Sequence, residues 1–379
     1  MTDTLDLERL LAEQGPWTTA YIDGPSDLPE PDELARRRAV REAVENAGAP
    51  AADVEALDAA LAWATGIPSP SSRFLLIRDG TVELDESFAE PRHGPERFSH
   101  RAAPAVIPLL SHLSHDVGYL VVETGRDGAT IRAAHTGAAA PERTEDVEGS
   151  TDSLPKVQVG GWSQARYQRH TEEVWSQNHD EVAETLDRWV RERQPRFVVV
   201  SGDVQARRLL LERISPTTLD LVVEVDANTR AAGASQEPVD DAIADAARTA
   251  VGEDEAAALD DAAAEGHRRG AYGVREITPA LQQARVDTLL LDESIADAER
   301  TLEALAEAPW VAEGDDDEYS ATSLGRVPAG DALARAAILT GARVLVSVED
   351  LAPGEPRPDG PQREPVAVLR WPADRIPQQ

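Results

Sequence analysis

Hydrophobic and polar positions change period several times along this 379-residue chain. Apolar residues at three- and four-residue steps between Leu5 and Glu13 predict a short helix, broken by Gly15-Pro16. WTTAYID then reads as a strand, DELARRRAVREAVENAG as a helix ending at Gly48, and Ala51 to Ala64 as a second helix. RFLLIRDGTVELDESF predicts two strands about Asp79-Gly80, a pair that tolerates the positive φ of a two-residue hairpin turn. Residues 89–104, rich in Pro and His, read as loop.

From about Asp116 the pattern restarts. GYLVVETGRDGATIRAAHTG predicts a second hairpin with Asp127-Gly128 at its turn, and residues 137–153 read as exposed loop. A long helix follows, roughly Ala165 to Arg193, in which Tyr167, Val174, Asn178, Val182, Leu186 and Val190 recur on one face; Pro195 marks its end. FVVVSGD reads as a buried strand, VQARRLLLERI as a helix and LDLVVEV as another strand. Hairpin, helix, strand, helix, strand makes an α/β domain. The Ala-rich segment from Ala231 to Gly270 is helical and partly connecting. Beyond it, ITPALQQARV and DALARAAILTG predict helices, DTLLLDE, ARVLVSVED and PVAVLRW predict strands, and EGDDDEYSATS predicts an acidic loop. The expected fold class is α/β with three domains: an atypical α+β domain over 1–115, a central domain over 116–232, and a C-terminal α/β domain over 233–379.

Charge changes the picture. Asp and Glu number 70 against 37 Lys and Arg, a formal net charge of −33, which opposes broad binding to the phosphates of DNA or RNA. Lys156 is the only lysine, and acids are spread throughout, a pattern that suits a GC-rich genome or a salt-rich cytosol. In molar salt the Debye length falls to about 3 Å, so local basic patches carry more weight than the global charge. There is no cysteine, hence no disulfide framework, thiolate metal site or thiol nucleophile. No apolar run approaches 18 residues, and the N-terminus lacks the basic start and apolar core of a signal peptide. A cytoplasmic protein without membrane or DNA partners is expected.

One segment departs from this background. LPKVQVGGWSQARYQRHT, residues 154–171, contains no acid, yet carries Lys156, Arg166, Arg169 and His170. On one reading Gly160-Gly161 end a strand and Ser163 caps the helix. On the other, the glycines let backbone approach a ligand closely and the cations meet phosphate. Other candidates are weaker. Ser201, Gly202 and Asp203 stand between a strand and a helix, which is most simply a loop and a cap. His93, His100, His112 and His115 cluster in sequence without carboxylates at ligand spacing. The acids from Glu313 to Glu318 lack the glycine and terminal glutamate of a calcium loop. No phosphate-binding lysine loop or dinucleotide fingerprint is present, and neither a metal nor a cofactor is expected. HRRGAYGVREI, with Arg268 and Arg269, is a second basic patch, either solvated or a secondary RNA contact.

Taken in order, a hairpin, a GG loop, a long helix carrying R-Y-x-R and then FVVVSGD resemble the central domain of the archaeo-eukaryotic release factor superfamily, which includes Pelota. The GPWTTAYID, GGWSQARYQRHTEEVWSQN and VDTLLLDE segments look like its bacterial branch, in mycobacterial and streptomycete members. The resemblance implies an RNase H-like central domain and a C-terminal domain similar to kink-turn-binding ribosomal proteins. It also implies a destination, the ribosomal A site with its rRNA and tRNA, with the loop directed at the peptidyl-transferase centre; a translational GTPase is a further partner of that class. Release factors carry glutamine directly after the glycines, where this chain has Trp162. Gln164 instead completes G-W-S-Q, similar to the G-x-x-Q of related peptidyl-tRNA hydrolases. Two functions are therefore implied. One is occupancy of the A site of stalled or idle ribosomes, in hibernation or rescue, without codon reading. The other is hydrolysis of peptidyl-tRNA, with Gly161 giving the loop reach and Gln164 positioning water. Both place Lys156, Gly160, Trp162, Arg166, Gln168, Arg169 and His170 against RNA.

Overall fold

The computed structural model describes all residues except 1–3, 25–28, 64, 126, 149–163, 231–232, 315–319, 349–363 and 373–379. Residues 115–251 form one compact unit, and residues 1–114 together with 252–379 form a second. Both are mixed α/β, as the alternating periods predict.

The chain begins α1 (Thr4–Ala12), β1 (Trp17–Asp23), α2 (Glu30–Asn46), α3 (Ala51–Leu61), β2 (Ser72–Arg78), β3 (Thr81–Phe88), β4 (Arg97–Arg101) and α4 (Ile107–His115). Its strands form an antiparallel sheet in the order β3-β2-β1-β4. Asp79 and Gly80, with φ of 50° and 75°, make the left-handed pair that the hairpin turn requires. The buried Asp53 carboxylate pins α3 beneath it, accepting from the Thr18 hydroxyl at 2.5 Å and the Gly80 amide at 2.7 Å. β4 falls within the stretch read as loop. RFSHR pairs with β1, but all five positions are half-buried, so no alternation announces a strand.

The unit spanning 115–251 holds β5 (Gly118–Gly125), β6 (Gly128–His135), β7 (Arg143–Glu148), α5 (Gln164–Arg193), β8 (Phe197–Gly202), α6 (Val204–Leu211), α7 (Pro216–Leu219) and β9 (Val222–Glu224). The boundary between the units falls inside α8 (Glu237–His267). The sheet order is β7-β6-β5-β8-β9, with β6 antiparallel to both neighbours and β5, β8 and β9 mutually parallel. A five-stranded sheet with only its second strand reversed is the RNase H-like arrangement that the resemblance implies. Even positions of β5 and β8, including Leu120, Val122, Val198 and Val200, pack with α5 and α6 residues on one face. Val121, Phe197 and Val199 pack with Val239, Ala247 and Ala250 on the other. β7 lies where an exposed loop is expected: RTEDVE is an edge strand whose charged sequence carries no apolar period.

The remaining elements are β10 (Gly270–Tyr272), α9 (Gly273–Gln282), β11 (Val286–Asp292), a 3₁₀ turn (Glu293–Asp297), β12 (Thr301–Leu305), β13 (Val311–Ala312), β14 (Ser323–Pro328), α10 (Ala329–Leu339), β15 (Arg343–Ser347) and β16 (Val366–Leu369). A mixed sheet runs β10-β16-β11-β15, and a separate small sheet runs β13-β12-β14. Strands of five, two and six residues are too short to show a period, so the small sheet is not legible beforehand.

The two ends of the chain share one core. Leu7, Leu10, Leu11, Tyr21, Phe74 and Ile107 cluster with Ile277, Leu289, Leu333 and Ala336. Two buried polar residues of α10 fasten them. The Asp331 carboxylate accepts from Arg101 at 2.9 Å and from the amides of Val106 and Ile107 at 2.9 and 3.3 Å, at the start of α4. Burial pushes its carboxyl above the usual range, against the opposing pull of Arg101 and those amides. Arg335 donates from Nε to the Leu11 carbonyl and from Nη1 to the Leu305 carbonyl, both at 2.9 Å, with its guanidinium 5.5 Å from the Trp310 ring centre. Burial lowers its pKa to about 10, which leaves it a cation at neutral pH.

Candidate functional site

The acid-free segment converges on the head of α5. Of its predicted site residues, Lys156, Gly160, Gly161 and Trp162 lie outside the described residues. Gln164 opens α5, and Arg166, Gln168, Arg169 and His170 follow within its first two turns. Ser163, the expected cap, also falls outside the described residues.

What the structure shows in detail is how the other half of this helix is anchored. Asn178, His179, Val182, Ala183, Leu186, Trp189 and Val190 are buried, which matches the expected face over its described part. Trp189, fully buried, is flanked by the guanidinium groups of Arg143 and Arg193 at 4.8 and 5.3 Å from its ring centre. Arg193 pairs with Glu142 at 3.0 Å, and Arg188 with Glu145 at 3.4 Å, tying α5 to the β7 edge. On the opposite flank Arg213 reaches Asp180 at 2.8 Å, while Asp187 accepts from the Ser215 amide and the Thr218 hydroxyl. Exposed pairs of this kind contribute little singly; the buried Trp189 and Leu186 supply most of the hold. At 1.5 Å per residue, Gln164 stands about 21 Å along the helix axis from Asn178. The described half of α5 is thus held to the sheet.

The second candidate resolves as structure. Asp203 caps α6, accepting from the amides of Gln205 and Ala206, and Ser201 bonds to Thr229 in the interior. Gly202 sits at φ 120°, and a Cβ there would lie 1.9 Å from the Thr124 carbonyl oxygen, so only glycine fits.

The histidines are a partial correction. Sequence spacing suggests no carboxylate partner, yet Glu90 joins His93 and His112, with one donor atom from each inside a 4.8 Å group. The hairpin and the loop after it bring Glu90 back to α4, which spacing alone cannot show. His112 is buried, with Nε2 at 2.8 Å from the Tyr21 hydroxyl and 3.1 Å from Ser72 Oγ, and Nδ1 at 3.6 Å from Glu90. His93 Nδ1 lies 2.7 Å from Ser111 Oγ, and the His93 amide donates to the Tyr21 hydroxyl. Burial raises the Tyr21 phenol well above its ordinary pKa, keeping the hydroxyl protonated. His112 is stacked between Phe88 and His93, with ring centres 4.1 and 4.3 Å away and planes within 6° and 22°. Imidazole lone pairs lie in the ring plane. Two rings so nearly parallel direct them side by side, not toward one ion at about 2.1 Å from both. The group is better suited to a hydrogen-bonded core than to a metal centre. His100 bonds to Thr18, at 2.9 Å from its hydroxyl.

Arg268 and Arg269 lie between α8 and β10, Arg268 exposed and Arg269 half-buried. They belong to the unit of residues 1–114 and 252–379, whereas the head of α5 belongs to the other.

Residues 118–268 match the model of the Bacterial archaeo-eukaryotic release factor family 2, so this part of the chain is similar to that family. Over 297 residues, 76% of this chain and 77% of the relative, the chain is 27% identical to the uncharacterized protein Rv2629 of Mycobacterium tuberculosis. Among solved structures, it is similar to Pelota of Archaeoglobus fulgidus (14% identity, 98% and 92% of the two chains, TM-score 0.35) and to Dom34 of S. cerevisiae (9%, 98% and 93%, TM-score 0.40). Superpositions at those scores are loose, and the family likeness rests on the 118–268 match. Among the described residues no helix is long and apolar enough to cross a membrane.

Proposed function

We propose that the chain occupies the A site of stalled or idle ribosomes, with residues 154–171 docked on RNA near the peptidyl-transferase centre and no codon read. The observation that carries this reading is the release-factor-like stretch of residues 118–268, in which the one acid-free cationic segment of a −33 chain leads into a helix fixed to the sheet at its far half. Arg166, Arg169 and Lys156 offer guanidinium and ammonium donors to rRNA or tRNA phosphate, with Gln168 and His170 as further contacts. Gly160 and Gly161 admit close backbone approach, and Trp162 offers a stacking surface. The ribosome is the partner, in the cytoplasm, and a translational GTPase is a candidate for delivery.

A second reading has its own support in G-W-S-Q, whose Gln164 is the first residue of α5. In that reading Gln164 orients a water against the ester between peptide and tRNA. Water adds across the C–O bond, freeing a peptide carboxylate and the tRNA 3′ hydroxyl, and the ribosome supplies the remaining positioning.

Co-sedimentation with ribosomes at the host's salt tests the first reading. Arg166→Glu with Arg169→Glu is expected to abolish pelleting, and unchanged pelleting removes the proposal. Gln164→Ala separates the two: pelleting kept with ester hydrolysis abolished supports the enzyme, whereas no release by either protein supports occupancy alone.

A further inference from the structure

We draw no further inference here: the strongest candidate, the open groove along α6 lined by Asp203, Val204, Gln205, Arg208, Leu209 and Glu212, carries nothing because no feature among the described residues shows what covers it.

Discussion

Replacing Arg335 by Met tests whether the two ends of the chain are held as one body. The guanidinium sits in the shared core and donates to Leu11 of α1 and to Leu305 of β12, so its loss strands two buried carbonyl oxygens. Each costs about 1–3 kcal/mol. Two gains oppose this. The orphaned Nη2 disappears, and a buried cation with no carboxylate within ion-pair distance among the described residues is removed. Met fills most of the vacated volume. The expected net loss is about 2–3 kcal/mol, and with a urea slope of about 2–3 kcal/mol per molar the midpoint should fall by about 1 M. Urea unfolding read by hydrogen exchange at α1 and α10 checks this, with both helices losing protection at the same lowered midpoint. An unchanged midpoint, or loosening of α1 without α10, refutes the shared-core argument.

Further outcomes follow from single contacts. Gly202→Ala places a Cβ against the Thr124 carbonyl at a φ that side chains avoid, so it should cost more than about 3 kcal/mol in thermal unfolding; a melting point within about a degree of wild type would contradict this. Equimolar zinc should leave the melting temperature unchanged, because the stacked His93 and His112 rings do not converge on one ion; a rise of several degrees that vanishes in His112→Phe would show a metal site. The raised carboxyl of Asp331 has a definite linkage sign: its stability contribution is present below the unfolded Asp value of about 3.9 and is lost as pH rises through the higher folded value. Wild type should therefore gain on Asp331→Asn as pH is lowered from 7 toward 4, in urea midpoints taken at each pH. A gain in the opposite direction would mean that Arg101 dominates burial.

The elements that could be read beforehand share a physical property. β1, β2, β5 and β8 are buried on both faces or alternate cleanly, and the described half of α5 buries one face at helical spacing, so each writes its period into the sequence. β4 and β7 do not, because a half-buried or charged edge strand gains its order from backbone pairing with a neighbour that local sequence does not reveal. The joining of the two ends is invisible for a similar reason: α1 and α10 are over 300 residues apart, and Arg335 looks like one more surface arginine on an Ala-rich helix. In the site, the head of α5 was legible as a gap in an acidic background. Glu90 beside His112 was not, since sheet topology and not spacing brings them together.

The most direct measurement is a cryo-electron-microscopy reconstruction of the protein on purified ribosomes at the host's salt. The proposal predicts density for the release-factor-like domain in the A site, with α5 directed at the peptidyl-transferase centre and residues 160–170 against rRNA or the tRNA acceptor end. Density elsewhere on the ribosome, or α5 pointing away from that centre, would contradict it.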